Sequence, residues 1–380
     1  TADQENDFTV AQANIHMDEK GNINISVLNI DGIKRGNRVE YSGQNEFEKA
    51  LQTLDEIENI VGVSESIAVY RFNLLRMMNR IPDAYASLEE YNMKYSSPYI
   101  LSTLADYEIS MYNDSTALAY YNEALDLVPD YSPALLGKAE TYRLTRKYDR
   151  YFNVLNEFVS MDDIPAPAKS EYLMAVVQRT DPKFIRSFMP QLDTAMTNLL
   201  LTHPADSSAL QTAGTYYYST GRIDKAKTCF EINLKIYPES FSANATFVEF
   251  LMYTDMWEDL SREGRLAFER FPNETTFIEM AGVGDYNLED YDKVLQTCEI
   301  ILEVAPNDSS KTLRSWSTMG DIYHQLGDKS KAYKAYEKAL KINPNYVYVL
   351  NNYAYFLSLD GKKLNKAHQM SSKAVEQESD

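Results

Sequence analysis

Basic side chains are in short supply. Lys and Arg number 37 against 56 Asp and Glu, so the 380-residue chain carries a formal charge of −19 near neutrality. Binding to a phosphate backbone needs a basic footprint, and the deficit excludes nucleic acid as the expected partner. Cysteine is almost absent: Cys229 and Cys298 are too few for a disulfide framework or a cysteine zinc site. The four histidines, His16, His203, His324 and His368, lie in unrelated settings, so no histidine metal centre is expected. No run approaches the roughly 18 apolar residues of a bilayer-spanning helix, so no transmembrane segment is expected. Glycine (14) and proline (13) are scarce, which disfavours a many-turned β fold and favours helices.

Catalytic signatures are missing as well. The chain has no His-Glu-x-x-His, no Gly-x-Ser-x-Gly and no phosphate loop. Gly282-Val283-Gly284 imitates part of a dinucleotide fingerprint, but it lacks the third glycine and a preceding strand. The adjacent carboxylates Glu89-Glu90 and Asp162-Asp163 would not share a helix face, so they make no acid–base pair. The expectation is a non-enzymatic protein with no cofactor and no metal. What the chain does have is 44% apolar residues, enough for a substantial core, and 29 tyrosines.

Those residues return at a fixed interval. Trp316, Met319, Gly320, Tyr323, Gly327, Ala332, Tyr336, Ala339 and Pro344 carry a complete 34-residue helix–turn–helix pattern. Small Gly320 and Ala332 mark the close approach of two antiparallel helices, and the aromatics fill the space around it. Gly327 supplies the turn, and Pro344 ends the second helix because it cannot donate to the helical ladder. Leu210, Gly214, Tyr217, Gly221, Ala226, Phe230 and Pro238 repeat the frame. Less complete copies contain Leu104, Ala105, Ala117, Tyr121 and Ala124, and then Leu135, Ala139 and Tyr142. Further copies hold Trp257 and Ala267, then Gly282 and Tyr291, and finally Leu350, Ala354, Gly361 and Ala367. Prolines at 204, 238, 272 and 306 recur every 34 residues. One helical pair cannot bury its apolar face alone, so the pairs must stack.

On these residues the chain, from about residue 43 to 380, resembles the tetratricopeptide-repeat (TPR) family, and its last unit resembles bacterial members. The resemblance implies an all-α solenoid, a right-handed superhelix of stacked antiparallel helix pairs with a concave groove. Residues 43–205 read as degenerate repeats and 206–380 as better-formed ones. Ile164-Pro165-Ala166-Pro167, Pro182 and Pro190 mark a joint or a drifted repeat between them. Glu46 to Val61 reads as one amphipathic helix with Phe47, Ala50, Leu51, Leu54 and Ile57 on a stripe. Residues 1–42 fall outside the repeat. Ile15, Met17, Ile23, Ile25 and Val27 alternate around Asp18–Gly21, which suggests a hairpin, with partial disorder the alternative. Asp31-Gly32 and Arg35-Gly36-Asn37 are turn-like. Cys229 and Cys298 fall late in second helices two units apart, about 20 Å by helix diameter, and are expected to be free, packed thiols.

In this family the first helix of each unit lines the groove. Mapped onto the clearest units, the resemblance places Gln211, Thr215 and Tyr218, then Ser317, Asp321 and His324, then Asn351, Tyr355 and Ser358 on that inner face. Hydroxyls, amides and tyrosines suit an extended peptide backbone. The lysines with which family members grip the acidic C-terminus of chaperones are absent from these places. Tyr217 and Tyr323 fall at core positions, unlike Tyr218 and Tyr355.

Charge is uneven. Residues 311–373 hold eleven Lys or Arg against Asp321, Asp328, Glu337 and Asp360, which could steer a charged partner, favour head-to-tail contacts or simply reflect helix-forming lysines. The leading expectation is a scaffold that binds a peptide segment or protein partner in its groove. The alternative is the substrate-recognition arm of a larger enzyme whose catalytic domain lies beyond residue 380, since no polar capping helix follows Ala374 and Val375. A homo-oligomeric assembly element is a third reading. The start Thr1-Ala2-Asp3-Gln4 reads as trimmed. It favours a bacterial periplasmic or outer-membrane-tethered location after signal-peptide removal, with the cytoplasm as the alternative.

Overall fold

The computed structural model describes residues 12–17, 23–28, 39–41, 44–179, 181–361 and 363–378. Strands β1 (Gln12–Met17), β2 (Ile23–Leu28) and β3 (Val39–Tyr41) form an antiparallel sheet in that order. Met17 stands opposite Ile23, and Ile25 pairs with Ile15 on one side and Val39 on the other. The turn at Asp18–Gly21 and the turn-like residues 31–37 lie outside the described residues.

The remainder is helical, and it divides into two compact units. The first takes described residues up to Lys169 together with Ile185–Thr202; the second takes Ser170–Phe184 and the described residues from His203 onward. In the first, α1 (Gln44–Val61) precedes the pairs α2 (Glu65–Met77) with α3 (Ile81–Tyr95), α4 (Pro98–Ser110) with α5 (Asp114–Leu127), and α6 (Ser132–Leu144) with α7 (Tyr148–Ser160). Ala50, Leu51, Leu54 and Ile57 of α1 are buried in one cluster with Phe72, Leu75, Ala84 and Leu88. The next pair is irregular: α8 (Ala166–Arg179), then α9 (Pro182–Ser187) and α10 (Met189–Thr202). Pro182 opens α9 and Pro190 is the second residue of α10, where a missing N–H costs least. The break between them places the Phe188 ring 5.2 Å from Phe152 and 4.8 Å from Tyr148.

The second unit continues with α11 (Ser207–Ser219) and α12 (Ile223–Ile236), α13 (Phe241–Tyr253) and α14 (Trp257–Arg270), and α15 (Thr275–Asn287) and α16 (Tyr291–Val304). It ends with α17 (Ser309–Gln325) and α18 (Lys329–Ile342), then α19 (Val347–Leu359) and α20 (Leu364–Glu378). From α11 on, each helix packs against the next in sequence order. Three first helices of this unit start at polar caps: Asp206, Ser240 and Asp308 accept from the first-turn N–H groups of α11, α13 and α17. Within pairs the chain reverses through a left-handed residue, at Gly221, Asp255, Glu289, Gly327 and Gly361 here and at Asn79, Tyr112 and Arg146 upstream.

Packing explains the glycines. A Cβ at Gly320 would lie 2.3 Å from Tyr336 Cε1, and one at Gly214 would lie 2.6 Å from Phe230 Cε1. Gly284 has a different neighbour: its Cβ would lie 2.8 Å from the Trp257 carbonyl oxygen and 2.9 Å from Ser261 N. Gly264, on α14, would meet the Phe277 carbonyl at 2.8 Å, so α14 and α15 touch backbone to backbone. Fully buried Asp285 seals this contact by accepting from Ser261 Oγ and Arg265 Nη2. A buried carboxylate is costly unless paired, and this one is held by a cation and a hydroxyl. Gly282-Val283-Gly284 is thus a helix-packing segment inside α15.

Candidate peptide-binding site

The first helices α11, α15, α17 and α19 carry the candidate site. Within α11, Gln211 donates from Nε2 to Ser242 Oγ at 3.2 Å, tying α11 to α13. Thr215 is half-buried, and Tyr218 is exposed with its ring edge-on to Phe250 at 5.6 Å.

Of the α17 residues, Ser317 is a correction. It is buried and its hydroxyl donates to the Leu313 carbonyl of its own helix at 2.7 Å, so it presents nothing to a groove. His324 stacks on Phe356, ring centroids 3.4 Å apart. Burial, together with neighbouring Lys329, holds its pKa below the usual histidine value. Asp321 is a junction. Its Oδ1 accepts from Tyr336 Oη at 2.5 Å and Asn352 Nδ2 at 3.1 Å, and its Oδ2 accepts from Tyr348 Oη at 2.8 Å. Burial and this bond push the Tyr348 phenol up to about 12, so it stays a donor to Asp321 at any ordinary pH. On α19, Asn351, Tyr355 and Ser358 are exposed; Ser358 donates to the Tyr355 carbonyl at 2.7 Å.

Near these residues lies a cleft of about 390 Å³ between α15 and α17, floored by α16 and edged by Tyr348 of α19. The i, i+4, i+7 spacing of Gln211, Thr215 and Tyr218 selects Glu279, Val283 and Tyr286 when applied to α15, and all three line the cleft. Sequence reasoning passed over α15 because its repeat is less complete. On α17 the lining stripe is Arg314, Thr318 and Asp321, beginning one turn earlier than Ser317. Buried Val294, Cys298 and Ile301 form an apolar floor. Burial raises the Cys298 thiol to about 12, with Glu299 adding to it, so the sulfur is a neutral, packed surface rather than a nucleophile.

One end of the cleft is built by an inserted turn. Helix α17 has 17 residues where α11, α13, α15 and α19 have 13. Four residues add about 6 Å of helix. They bring Lys311 to Glu279 (3.2 Å) and Thr275, beside the Arg314–Glu279 contact at 3.2 Å. The signal in the sequence is the interval from Pro306 to Pro344, four residues longer than the preceding ones.

Stacked helical pairs joined by left-handed turns define a helical-repeat array. Residues 313–346 and 335–369 match two family models, each described as tetratricopeptide repeat, so this C-terminal segment is built of tetratricopeptide repeats. A protein of Pyropia yezoensis described as uncharacterized protein ycf37 is 42% identical over 60 residues, 16% of this chain. The chain covers 33% of that relative's length. Among solved structures it is similar to MamA (16% identity, TM-score 0.39), over 46% of this chain and 92% of that one. It is also similar to YrrB, described as a TPR protein with an unusual peptide-binding site (16% identity, TM-score 0.35), over 60% of this chain and 95% of that one. At such scores neither structure bears on what this chain binds.

Among the described residues no group of three or more His, Cys, Asp or Glu side chains could hold a metal ion, and no helix is long and apolar enough to cross a membrane.

Proposed function

We propose that the chain is a non-enzymatic interaction scaffold that holds an extended peptide segment of a protein partner along the inner face of α11–α19. The observation that carries this reading is the set of exposed aromatic rings at the cleft and along α19: Tyr286 (57% exposed) and Tyr348 (50%) line the cleft, and Tyr355 (59%) lies further along α19. Rings that could have been packed are held in solvent next to hydroxyls, amides and an apolar floor. Tyrosine supplies rigid contact area at low entropic cost and a hydroxyl for a peptide N–H or carbonyl. Main-chain hydrogen bonding with side-chain pockets is how extended peptides are recognised. Gln211, Thr215, Tyr218, Asn351, Tyr355 and Ser358 would form the outer parts of that surface, with Asp321 and His324 holding its shape.

The test is selection of displayed random peptides on the full chain, followed by Tyr286→Ala and Tyr355→Ala. Asp321 is a poor target because its loss would orphan the buried Tyr336 hydroxyl, confounding binding with folding. Each tyrosine change should weaken the selected peptides about tenfold, with the circular dichroism spectrum unchanged. Binding that ignores both changes would remove the reading.

A further inference from the structure

Resting on that reading, we infer that the cleft between α15 and α17 is a specificity pocket. Its occupant is an extended peptide in which an apolar side chain stands one or two residues from an Asp or Glu side chain. At about 390 Å³ the cleft has room for an apolar side chain together with part of the adjoining peptide backbone. The floor of Val294, Cys298 and Ile301, with Val283 on the wall, offers no charge and takes an apolar group.

The two ends of the cleft differ in chemistry: cations meet carboxylates at one, and the Asp321 carboxylate meets neutral donors at the other. At one end Lys311 and Arg314 both meet Glu279, and Glu274 at the start of α15 also acts on Lys311. The Arg314 side chain is 59% exposed and meets Glu279 through Nη2, so much of its donor fork remains open to a carboxylate. Seven residues along α17, about 10 Å by helical rise, lies Asp321. Tyr348 donates its proton there and keeps oxygen lone pairs for a peptide N–H. An acidic side chain on the peptide is therefore drawn to the Arg314 end and repelled from the Asp321 end, which sets direction and register. From Lys311 to Asp321 the cleft runs about 15 Å, the length of four or five extended residues. Of the eleven basic residues in 311–373, Lys311 and Arg314 line the cleft and supply its local attraction for an acidic side chain. The inner face continues onto α19 through Tyr355, so the peptide passes through the pocket, and the carboxylate is a side chain rather than a chain terminus.

The experiment uses the full chain and two positional-scanning libraries of N-acetylated heptapeptides, one C-amidated and one with a free C-terminus, read by fluorescence binding. Leu, Ile, Met or Phe should be enriched at one position, and Asp or Glu one or two residues away. Arg314→Gln should cut the acidic preference at least threefold, Arg314→Glu should turn it toward Lys or Arg, and Val283→Asp should erase the apolar preference. An acidic preference untouched by Arg314→Gln, a requirement for a free C-terminal carboxylate, or no selection at all would overturn the inference. Binding lost in Tyr286→Ala but indifferent to acidic residues removes the pocket assignment and leaves the groove. Binding indifferent to Tyr286 and Tyr355 removes both.

Discussion

Among the described residues, eight turns between paired helices place a residue in the left-handed region; glycine takes that place in three, the last of which also holds Lys363 there. The others are Asn79, Tyr112, Arg146, Asp255 and Glu289, with φ between 56° and 61°. A side chain there costs about 1–2 kcal/mol, partly offset by the larger unfolded-state entropy of glycine. Tyr112 is 94% exposed, so its ring contributes little to packing. Tyr112→Gly should therefore stabilise the first unit by about 0.5–1 kcal/mol, read as a higher urea midpoint, and an unchanged or lower midpoint would refute the strain. Residue roles were partly legible from the sequence. Buried Tyr217 and exposed Tyr218 separate by phase alone, because neighbours on a helix point about 100° apart. Ser317 was misread because a short hydroxyl can satisfy itself on its own helix, a choice that periodicity does not record. Asp321 looked like a ligand group, yet the pairing of Tyr121 with Asp106, also fifteen residues apart, shows a recurring internal bond.

The helices were legible as elements because their apolar and small residues must recur for neighbouring pairs to stack. Trp316, Gly320, Tyr336 and Pro344 are tied to packing or termination, so their spacing survives in the sequence. Departures from the period were harder to read. The added turn of α17 shows only as a longer interval between prolines, and its consequence, Lys311 beside Glu279, needs three dimensions. Likewise Gly264 and Gly284 are twenty residues apart, and nothing local announces that they open the same backbone contact. Helix α15 carries Val283 and Tyr286 into the cleft, so the α14–α15 contact also sets the pocket wall. Gly284→Ala would push a methyl against the Trp257 carbonyl and the Ser261 amide, neither of which can rotate away. It should cost about 1–3 kcal/mol in urea unfolding and speed hydrogen exchange in α14 and α15 first. A variant as stable as the parent would show that the helices are not in backbone contact.

Across the whole molecule, net charge and local charge differ in sign. The chain is acidic, yet α18 exposes Lys331, Lys334, Lys338 and Lys341. Part of this excess is structural, since Lys338 lies 3.7 Å from the Trp316 ring centroid and Lys331 5.2 Å from that of Tyr323. Two exposed surfaces of the C-terminal repeats thus stand as alternatives to be tested for the proposed scaffold: the tyrosine-edged face of the first helices and the lysine-bearing second helix. The direct discrimination is site-specific photo-cross-linking of a selected, sequence-defined peptide to the full chain, with the photoreactive residue at Tyr286, at Tyr355 or at Lys334. An inner-face scaffold requires covalent capture from Tyr286 and Tyr355, blocked by excess unlabelled peptide, and none from Lys334. Capture from Lys334 with silence at the two tyrosines would contradict it.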